Sequence, residues 1–201
     1  MSDPEGAAHT APRYRIEPLD PEKHDRAGFS CGVAQVDNFF RRTANKLAKA
    51  GNLRVFVMVS PATASLGAVS SGGEVIGFYA LNGHAISYTD LPKKYARTRP
   101  GHGSIPAAYL SMIAVDQRFA GQGFGGDLLA DALLRCAKAA ESIGLSAVVL
   151  DILDDGDAEA VERRKGLYRR YGFQPLVSQP LRMFLPMGTV RGMIRGDEKV
   201  V

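Results

Sequence analysis

Leu110-Ser111-Met112-Ile113-Ala114-Val115 runs directly into Asp116-Gln117-Arg118-Phe119-Ala120-Gly121-Gln122-Gly123-Phe124-Gly125-Gly126. The first six residues are short and apolar, as a buried strand requires. From Phe124 onward, Leu128, Leu129, Ala132, Leu133, Cys136, Ala140 and Ile143 recur at helical spacing, with Asp127, Asp131, Arg135, Lys138 and Glu141 largely on the other side. Between strand and helix lies a turn with four glycines in six residues, Gly121 to Gly126. Glycine loses more conformational freedom on folding than any other residue, so an ordinary turn has no reason to collect four. A helix N-terminus leaves backbone N–H groups unpaired, and its dipole favours negative charge. Together these features predict a phosphate cradle.

Two ligand classes fit such a cradle. Gly121, Gly123 and Gly126 satisfy G-x-G-x-x-G, and Asp151 closes the next apolar strand about where a ribose-binding acid would stand in a dinucleotide fold. The context is wrong for that fold, because Asp116 to Ala120 intervene before the first glycine and too little chain follows Asp151 for a second half-sheet. The same residues, Arg118-Phe119-Ala120-Gly121-Gln122-Gly123, also read as R-x-x-G-x-G. This resembles the acetyl-CoA pyrophosphate loop of the GCN5-related N-acetyltransferases (GNAT), in which a strand precedes and a helix follows. The resemblance implies that backbone amides of Arg118, Phe119, Ala120, Gly121, Gln122, Gly123, Phe124, Gly125 and Gly126 wrap the pyrophosphate. It also implies that Ile113, Ala114 and Val115 run beside the pantetheine arm like an added strand.

A chain of 201 residues suits one domain, and 45% hydrophobic with 23% charged residues is a soluble globular composition. No run is long enough to span a membrane, and Met1-Ser2-Asp3-Pro4-Glu5-Gly6 lacks the parts of a signal peptide, so a cytoplasmic protein is expected. Cys31 and Cys136 have no metal-ligand spacing, and no metal is expected. The net charge is only +4, yet it is segregated. Between residues 38 and 73 there is no acid but there are Arg41, Arg42, Lys46, Lys49 and Arg54; between 91 and 115 there is none beside Lys93, Lys94, Arg97, Arg99 and His102. Such runs suit a polyanionic partner and equally suit a solvated helix face with a basic loop.

In chain order, residues 1–12 read as disordered, 14–19 as a strand, and 33–50 as a helix with Val33, Val36, Phe39, Phe40, Ala44 and Leu47 on one face. Strands follow at 54–60 and 75–81, the latter continuing in broken form to 88, and then a basic, proline-bearing loop at 91–106. Beyond the long helix come a strand at 147–152, a helix ending near Tyr171, short strands around 173–177 and 182–185, and a polar, mobile tail from 188 to 201. The catalytic domain is thus expected over 13–187. The order gives an α/β sandwich with a mixed sheet. It is also the order of the GNAT fold, and that resemblance implies a mostly antiparallel sheet flanked by helices.

The charges of 151–172 run from acidic to basic, as a helix dipole favours, and need no functional explanation. Within them, Leu167-Tyr168-Arg169-Arg170-Tyr171-Gly172-Phe173 resembles the GNAT ending Y-x-x-x-G-F. By that resemblance Tyr168 points at the coenzyme sulfur. A phenol of reference pKa ~10 can protonate a thiolate whose conjugate acid titrates near ~8.5. A main-chain N–H near Val115 is expected to polarise the acetyl carbonyl. The link from Asp151 to Tyr168 is longer than the compact one usual in the family. The central strand offers Ser111 but no carboxylate before Asp116, so a general base is missing. An α-amine, with pKa ~7.7–8, needs one less than a lysine at ~10.4.

A narrower resemblance covers residues 13–187. Phe29-Ser30-Cys31-Gly32, Val36-Asp37-Asn38-Phe39-Phe40, Gly77-Phe78-Tyr79-Ala80-Leu81 and Pro180-Leu181-Arg182-Met183-Phe184-Leu185-Pro186 together are similar to the GNAT toxins of type II toxin–antitoxin pairs. Those toxins acetylate the α-amine of aminoacyl-tRNA, pair with ribbon-helix-helix antitoxins and often form homodimers. On this reading Arg41, Arg42, Lys46, Lys49, Lys93, Lys94, Arg97 and Arg99 contact tRNA phosphates, and Cys31 is structural. A housekeeping acetyltransferase for small amines or protein N-termini, and a non-catalytic binding module, remain open alternatives.

Overall fold

Strand β4, Ser104–Val115, is the middle of a seven-stranded sheet of order β1-β2-β3-β4-β5-β7-β6. The computed structural model describes residues 13–61, 73–96 and 103–196. Its strands are β1 (Arg15–Pro18), β2 (Arg54–Val59), β3 (Val75–Ser87), β4, β5 (Ala147–Asp151), β6 (Gln174–Pro175) and β7 (Arg182–Pro186). All pairings are antiparallel except β4 with β5. The mixed, mostly antiparallel α/β sheet expected from the sequence is therefore the observed one.

Helix α4 (Phe124–Ser142) covers one sheet face, as its spacing dictates: Leu128, Leu129, Ala132, Leu133 and Cys136 bury against Leu110, Val148, Leu150 and Leu185. It packs closely on Gly77 of β3. A Cβ there would sit 2.7 Å from the Ala114 carbonyl oxygen and 2.8 Å from a Leu128 methyl. Gly77→Ala is therefore expected to destabilise the fold by about 1–3 kcal/mol, read as a lowered denaturation midpoint at unchanged m-value.

Opposite α4, a helical rod packs Val36, Phe40 and Ala44 onto Val55, Val57, Phe78 and Ala80. The rod comprises α1 (Ala34–Asn38), a π-turn at Phe39–Thr43 and α2 (Ala44–Lys49). The π-turn brings the Phe40 ring flat onto Phe78, with centroids 4.0 Å apart. Farther along the same face, Tyr88 and Tyr95, the latter in α3 (Lys93–Ala96), cover Ile86, Ile105, Ala107, Val149 and Phe184.

Three sequence expectations change. β3 is continuous to Ser87, and β4 starts at Ser104, so Pro106 lies in the strand opposite Ala85. The polar tail expected from 188 is instead helix α6 (Met187–Arg195), which extends the folded domain beyond 187. Met187 and Val190 are buried, Met193 packs on the α4-side core, and Gly196 at φ 77 ends the helix in the left-handed conformation that glycine takes at low cost. The polar residues between those apolar positions concealed the stripe. The disordered segment expected at 1–12, and Arg97 and Arg99, lie outside the described residues. No described helix is long and apolar enough to cross a membrane.

Candidate active site

The parallel ladder between β4 and β5 lasts only from Ala107–Ala147 to Leu110–Leu150. At that point β4 carries a bulge. Leu110 and Met112 oppose consecutive β3 residues, Leu81 and Ala80, and Ser111 is left over. A bulge bends its strand. From Ser111 to Val115, β4 therefore has a strand neighbour on the β3 side only, and the sheet opens into a fork.

Two cavities meet in the fork. The first, of about 180 Å³, lies toward α4 and is lined by Gly125, Gly126, Leu129, Leu167 and Tyr171. The second, of about 530 Å³, lies between α1 and the end of β5, lined by Cys31, Val36, Met112, Asp151, Leu153 and Asp154 among others. Both are also lined by Ile113, Ala114, Val115 and Tyr168.

The first cavity opens at the glycine-rich turn. Gly121 and Gly123, at φ 77 and 87, hold left-handed backbone that a side chain would strain. A Cβ on Gly126 would stand 2.9 Å from the hydroxyl of Tyr171, at the end of α5 (Ala158–Arg170), and would push that side chain aside. The N–H groups of Gly121, Gln122, Gly123, Phe124 and Gly125 find no acceptor among the described residues. Those of Arg118, Phe119, Ala120 and Gly126 are taken, by Asp116 Oδ1 and by the carbonyls of Asp116, Gln117 and Gly123. Of the nine amides expected to wrap an anion, the five from 121 to 125 are free to do so.

Arg118 also turns away from the cradle. Its Nε donates to Asp116 Oδ1 at 2.8 Å, and its Nη1 pairs with Glu74. Asp116 is 1% exposed and accepts as well from Ser30 N at 3.0 Å. Arg118 beside it holds its carboxyl down at about 2. An unfolded aspartate titrates near ~3.9, so this contribution to stability is whole above pH ~4 and is lost as pH falls toward 2. Asp116→Asn should cost about 2 kcal/mol at pH 7 and remove part of the acid sensitivity, both read from denaturant titrations at pH 7 and pH 3.

Ser30 links this loop to α1. Its hydroxyl donates to buried Asp37 at 2.9 Å, Cys31 N donates to the same carboxylate at 2.8 Å, and Gln117 N donates to Ser30 O at 2.8 Å. The Phe-Ser-Cys-Gly motif thus ties α1 to the end of β4. Burial pushes the Cys31 thiol up to about 11, which suits an unreactive structural residue.

Tyr168 sits three turns into α5, whose N-cap Asp157 accepts from Ala160 N at 3.0 Å. After Tyr171 the chain turns through Gly172 at φ 82, and Phe173 N donates back to Tyr168 O at 3.1 Å. The Tyr168 ring packs edge-on against Phe173, with centroids 5.8 Å apart, which fixes its direction. Its hydroxyl has no hydrogen-bond partner among the described residues, and burial pushes it up to about 12. It keeps its proton at neutral pH. The long link after Asp151 forms a turn whose Leu153 and Asp154 wall the larger cavity. Arg164 pins that turn, donating to Leu153 O at 2.9 Å and pairing with Asp155 at 2.7 Å.

The expected basic residues divide. Arg42, Lys46, Lys49, Lys93 and Lys94 are exposed. Arg41 is not free for a phosphate: its Nε donates to Phe29 O at 2.7 Å and its guanidinium stands 3.8 Å from Asp37. Asp151, which the dinucleotide reading would give a ribose, stands instead at the cavity wall, and its partners were not foreseen from the sequence: Arg182 at 2.6 and 2.7 Å and the Tyr109 hydroxyl at 2.7 Å. The i, i+2 relation of Tyr109 to Ala107 on β4 marks the residue as facing that side, but its partners come from distant strands.

Comparison with known proteins agrees with this geometry. The family model described as an acetyltransferase (GNAT) domain matches residues 63–175. The chain is 60% identical over 179 residues to a probable toxin TacT of Sinorhizobium fredii (strain NBRC 101917 / NGR234), covering 89% of this chain and 94% of that one. It is 32% identical over 191 residues to a tRNA-acetylating toxin of Mycobacterium tuberculosis (strain ATCC 25618 / H37Rv), covering 95% and 99%. AtaT complexed with acetyl-methionyl-tRNAfMet superposes with a TM-score of 0.76 at 22% identity, over 90% of this chain and 99% of that one. An AtaT mutant bound to the C-terminus of the antitoxin AtaR and acetyl-CoA superposes with a TM-score of 0.71 at 20% identity, over 91% and 99%. With a forked β4–β5 pair, an amide cradle at the start of α4 and a model match across both, the chain belongs to the GNAT acetyltransferase family.

Proposed function

We propose that this enzyme carries an acetyl group from acetyl-CoA to the α-amine of an aminoacyl-tRNA, and so acts as a translation-blocking toxin. The observation that carries the reading is the pair of cavities meeting at Ile113, Ala114, Val115 and Tyr168, only one of which opens on unpaired amides. A direct transfer needs two ligands to reach one point from separate sides. Acetyl-CoA supplies the acetyl group as a reactive thioester. The amides of Gly121, Gln122, Gly123, Phe124 and Gly125 hold its pyrophosphate, and Ile113 to Val115 flank its pantetheine arm. Tyr168 holds a proton on its hydroxyl oxygen for the departing sulfur.

The larger cavity then receives the acceptor. Asp151 is tied up by Arg182 and Tyr109 and is a poor base, which favours an α-amine already partly deprotonated at neutral pH. Exposed Arg42, Lys46, Lys49, Lys93 and Lys94, with Arg97 and Arg99, supply sequence-independent contacts to the acceptor stem. The name of one relative, a tRNA-acetylating toxin, supports the same substrate, and that of the other, a probable toxin, supports the toxin role. A ribbon-helix-helix antitoxin, a homodimer and a cytoplasmic setting belong to the proposal.

Incubation with radiolabelled acetyl-CoA and total charged tRNA, followed by nuclease digestion, tests it. The expected product is label on an N-acetylaminoacyl-adenosine. Label found only on small amines or protein N-termini would overturn the tRNA assignment.

A further inference from the structure

On the sheet face opposite α4, His84 of β3, Tyr109 of β4, Asp151 of β5 and Arg182 of β7 stand together. The His84 and Tyr109 ring centroids are 5.2 Å apart. The Arg182 guanidinium carbon lies 5.6 Å from the Tyr109 centroid, and its Nη1 is 3.5 Å from His84 Nε2. Asp151 fixes the row by accepting from both Tyr109 and Arg182. That carboxylate neutralises the guanidinium, so the row offers a phosphate little net charge. It offers rigid, flat, π-bearing surfaces, all half-buried, and acetyl transfer as described above uses none of them.

Their position indicates an occupant. The α1–α2 rod covers the face on one side and α3 with Tyr88 covers it on the other, leaving the row in the gap between them. Lys93 and Lys94 are exposed on the α3 bank, and Tyr109 and Asp151 line the larger cavity. Flat stacking surfaces in a groove with a cationic bank suit a single-stranded nucleic-acid end. Tyr109 precedes Ile113–Val115 by four to six residues, about 13–20 Å along an extended strand, and the bulge at Ser111 shortens that path. An aminoacyl-adenosine carries its base at one end and its amine at the other, so it can lie along this path with its base toward Tyr109 and its amine toward Tyr168.

We propose that the His84–Tyr109–Arg182 row is the docking platform for the 3′-terminal nucleobase of the tRNA, from which the aminoacyl ester extends along β4 to Tyr168. This rests on the reading of the acceptor as aminoacyl-tRNA. Two measurements test it with the full-length enzyme. In steady-state acetylation of charged tRNA, Tyr109→Leu raises KM for the tRNA about tenfold while kcat changes by no more than about twofold, and Tyr109→Phe, which keeps the ring, recovers most of the affinity. In binding, a minihelix ending in 2-aminopurine at its 3′ terminus is quenched by the wild-type enzyme and not by Tyr109→Leu with His84→Ala. Unquenched 2-aminopurine with wild-type enzyme that still acetylates charged tRNA would overturn the platform alone. So would a Tyr109→Phe variant as impaired as Tyr109→Leu, since the Asp151 bond and not the ring would then matter. Absence of acetylation on any charged tRNA would overturn the platform together with the functional reading beneath it.

Discussion

Tyr168→Phe should lower kcat by roughly a hundredfold to a thousandfold, with the dissociation constant for acetyl-CoA unchanged. The ring of Tyr168 lines both cavities and rests on Phe173, and phenylalanine preserves those contacts. Only the hydroxyl is removed, and that hydroxyl has no protein hydrogen-bond partner among the described residues to lose. Stability should therefore stay where it is, or rise slightly. Rapid-quench kinetics with saturating acetyl-CoA, together with calorimetric titration of the coenzyme, separates the two quantities. An unchanged turnover would remove Tyr168 as the proton donor. The pH profile gives a second reading of the same residue. With Tyr168 titrating at about 12, the rate should climb as the acceptor amine loses its proton near pH ~7.7–8 and show no tyrosine-dependent fall through pH 10.

The other large effect concerns charge. Reversing Lys93, Lys94, Arg97 and Arg99 to Glu should abolish acetylation of charged tRNA and leave acetyl-CoA binding intact. On the proposed reading, attractions to tRNA phosphates become repulsions on a polyanion, whereas the cradle at 121–125 follows the far end of β4 from the Ile105–Ala107 region that α3, with Lys93 and Lys94, covers. The salt dependence of tRNA affinity should also flatten, by roughly 0.7–0.9 log units per log unit of salt for each lost contact. Filter binding over a range of salt concentrations, alongside the acetylation assay, measures both. Equal activity before and after reversal would leave tRNA without its cationic track. Arg41 belongs to a different class despite its place in the same basic run. Held by Phe29 O and near Asp37, it should affect stability when replaced, not the salt slope.

What could be read from the sequence was local, and what could not was long-range. The cradle was legible because its cause, several glycines between an apolar strand and an amphipathic helix, sits within one stretch of chain. Tyr168 was legible through a motif ending in a glycine that proves to hold φ 82. The fate of Arg118 was not. It depends on Asp116 being buried by Ser30, 86 residues earlier, which turns the guanidinium from ligand toward scaffold. The same holds for Tyr109, whose Asp151 and Arg182 partners meet only when β4, β5 and β7 assemble. α6 failed for a different reason. Its apolar positions, Met187, Val190 and Met193, are three apart and separated by Gly, Thr and Arg, so average polarity hid a helix that Gly196 marks at its end.

The amide cradle can be examined residue by residue. Backbone amide resonances of the isotopically labelled enzyme, followed while coenzyme A is added, should show the largest shifts at Gly121, Gln122, Gly123, Phe124 and Gly125. Arg118, Phe119 and Ala120, whose N–H groups already have protein acceptors, should move far less. Saturation with coenzyme A that leaves the resonances of 121–125 in place, or that moves those of 118–120 most, would contradict the assignment.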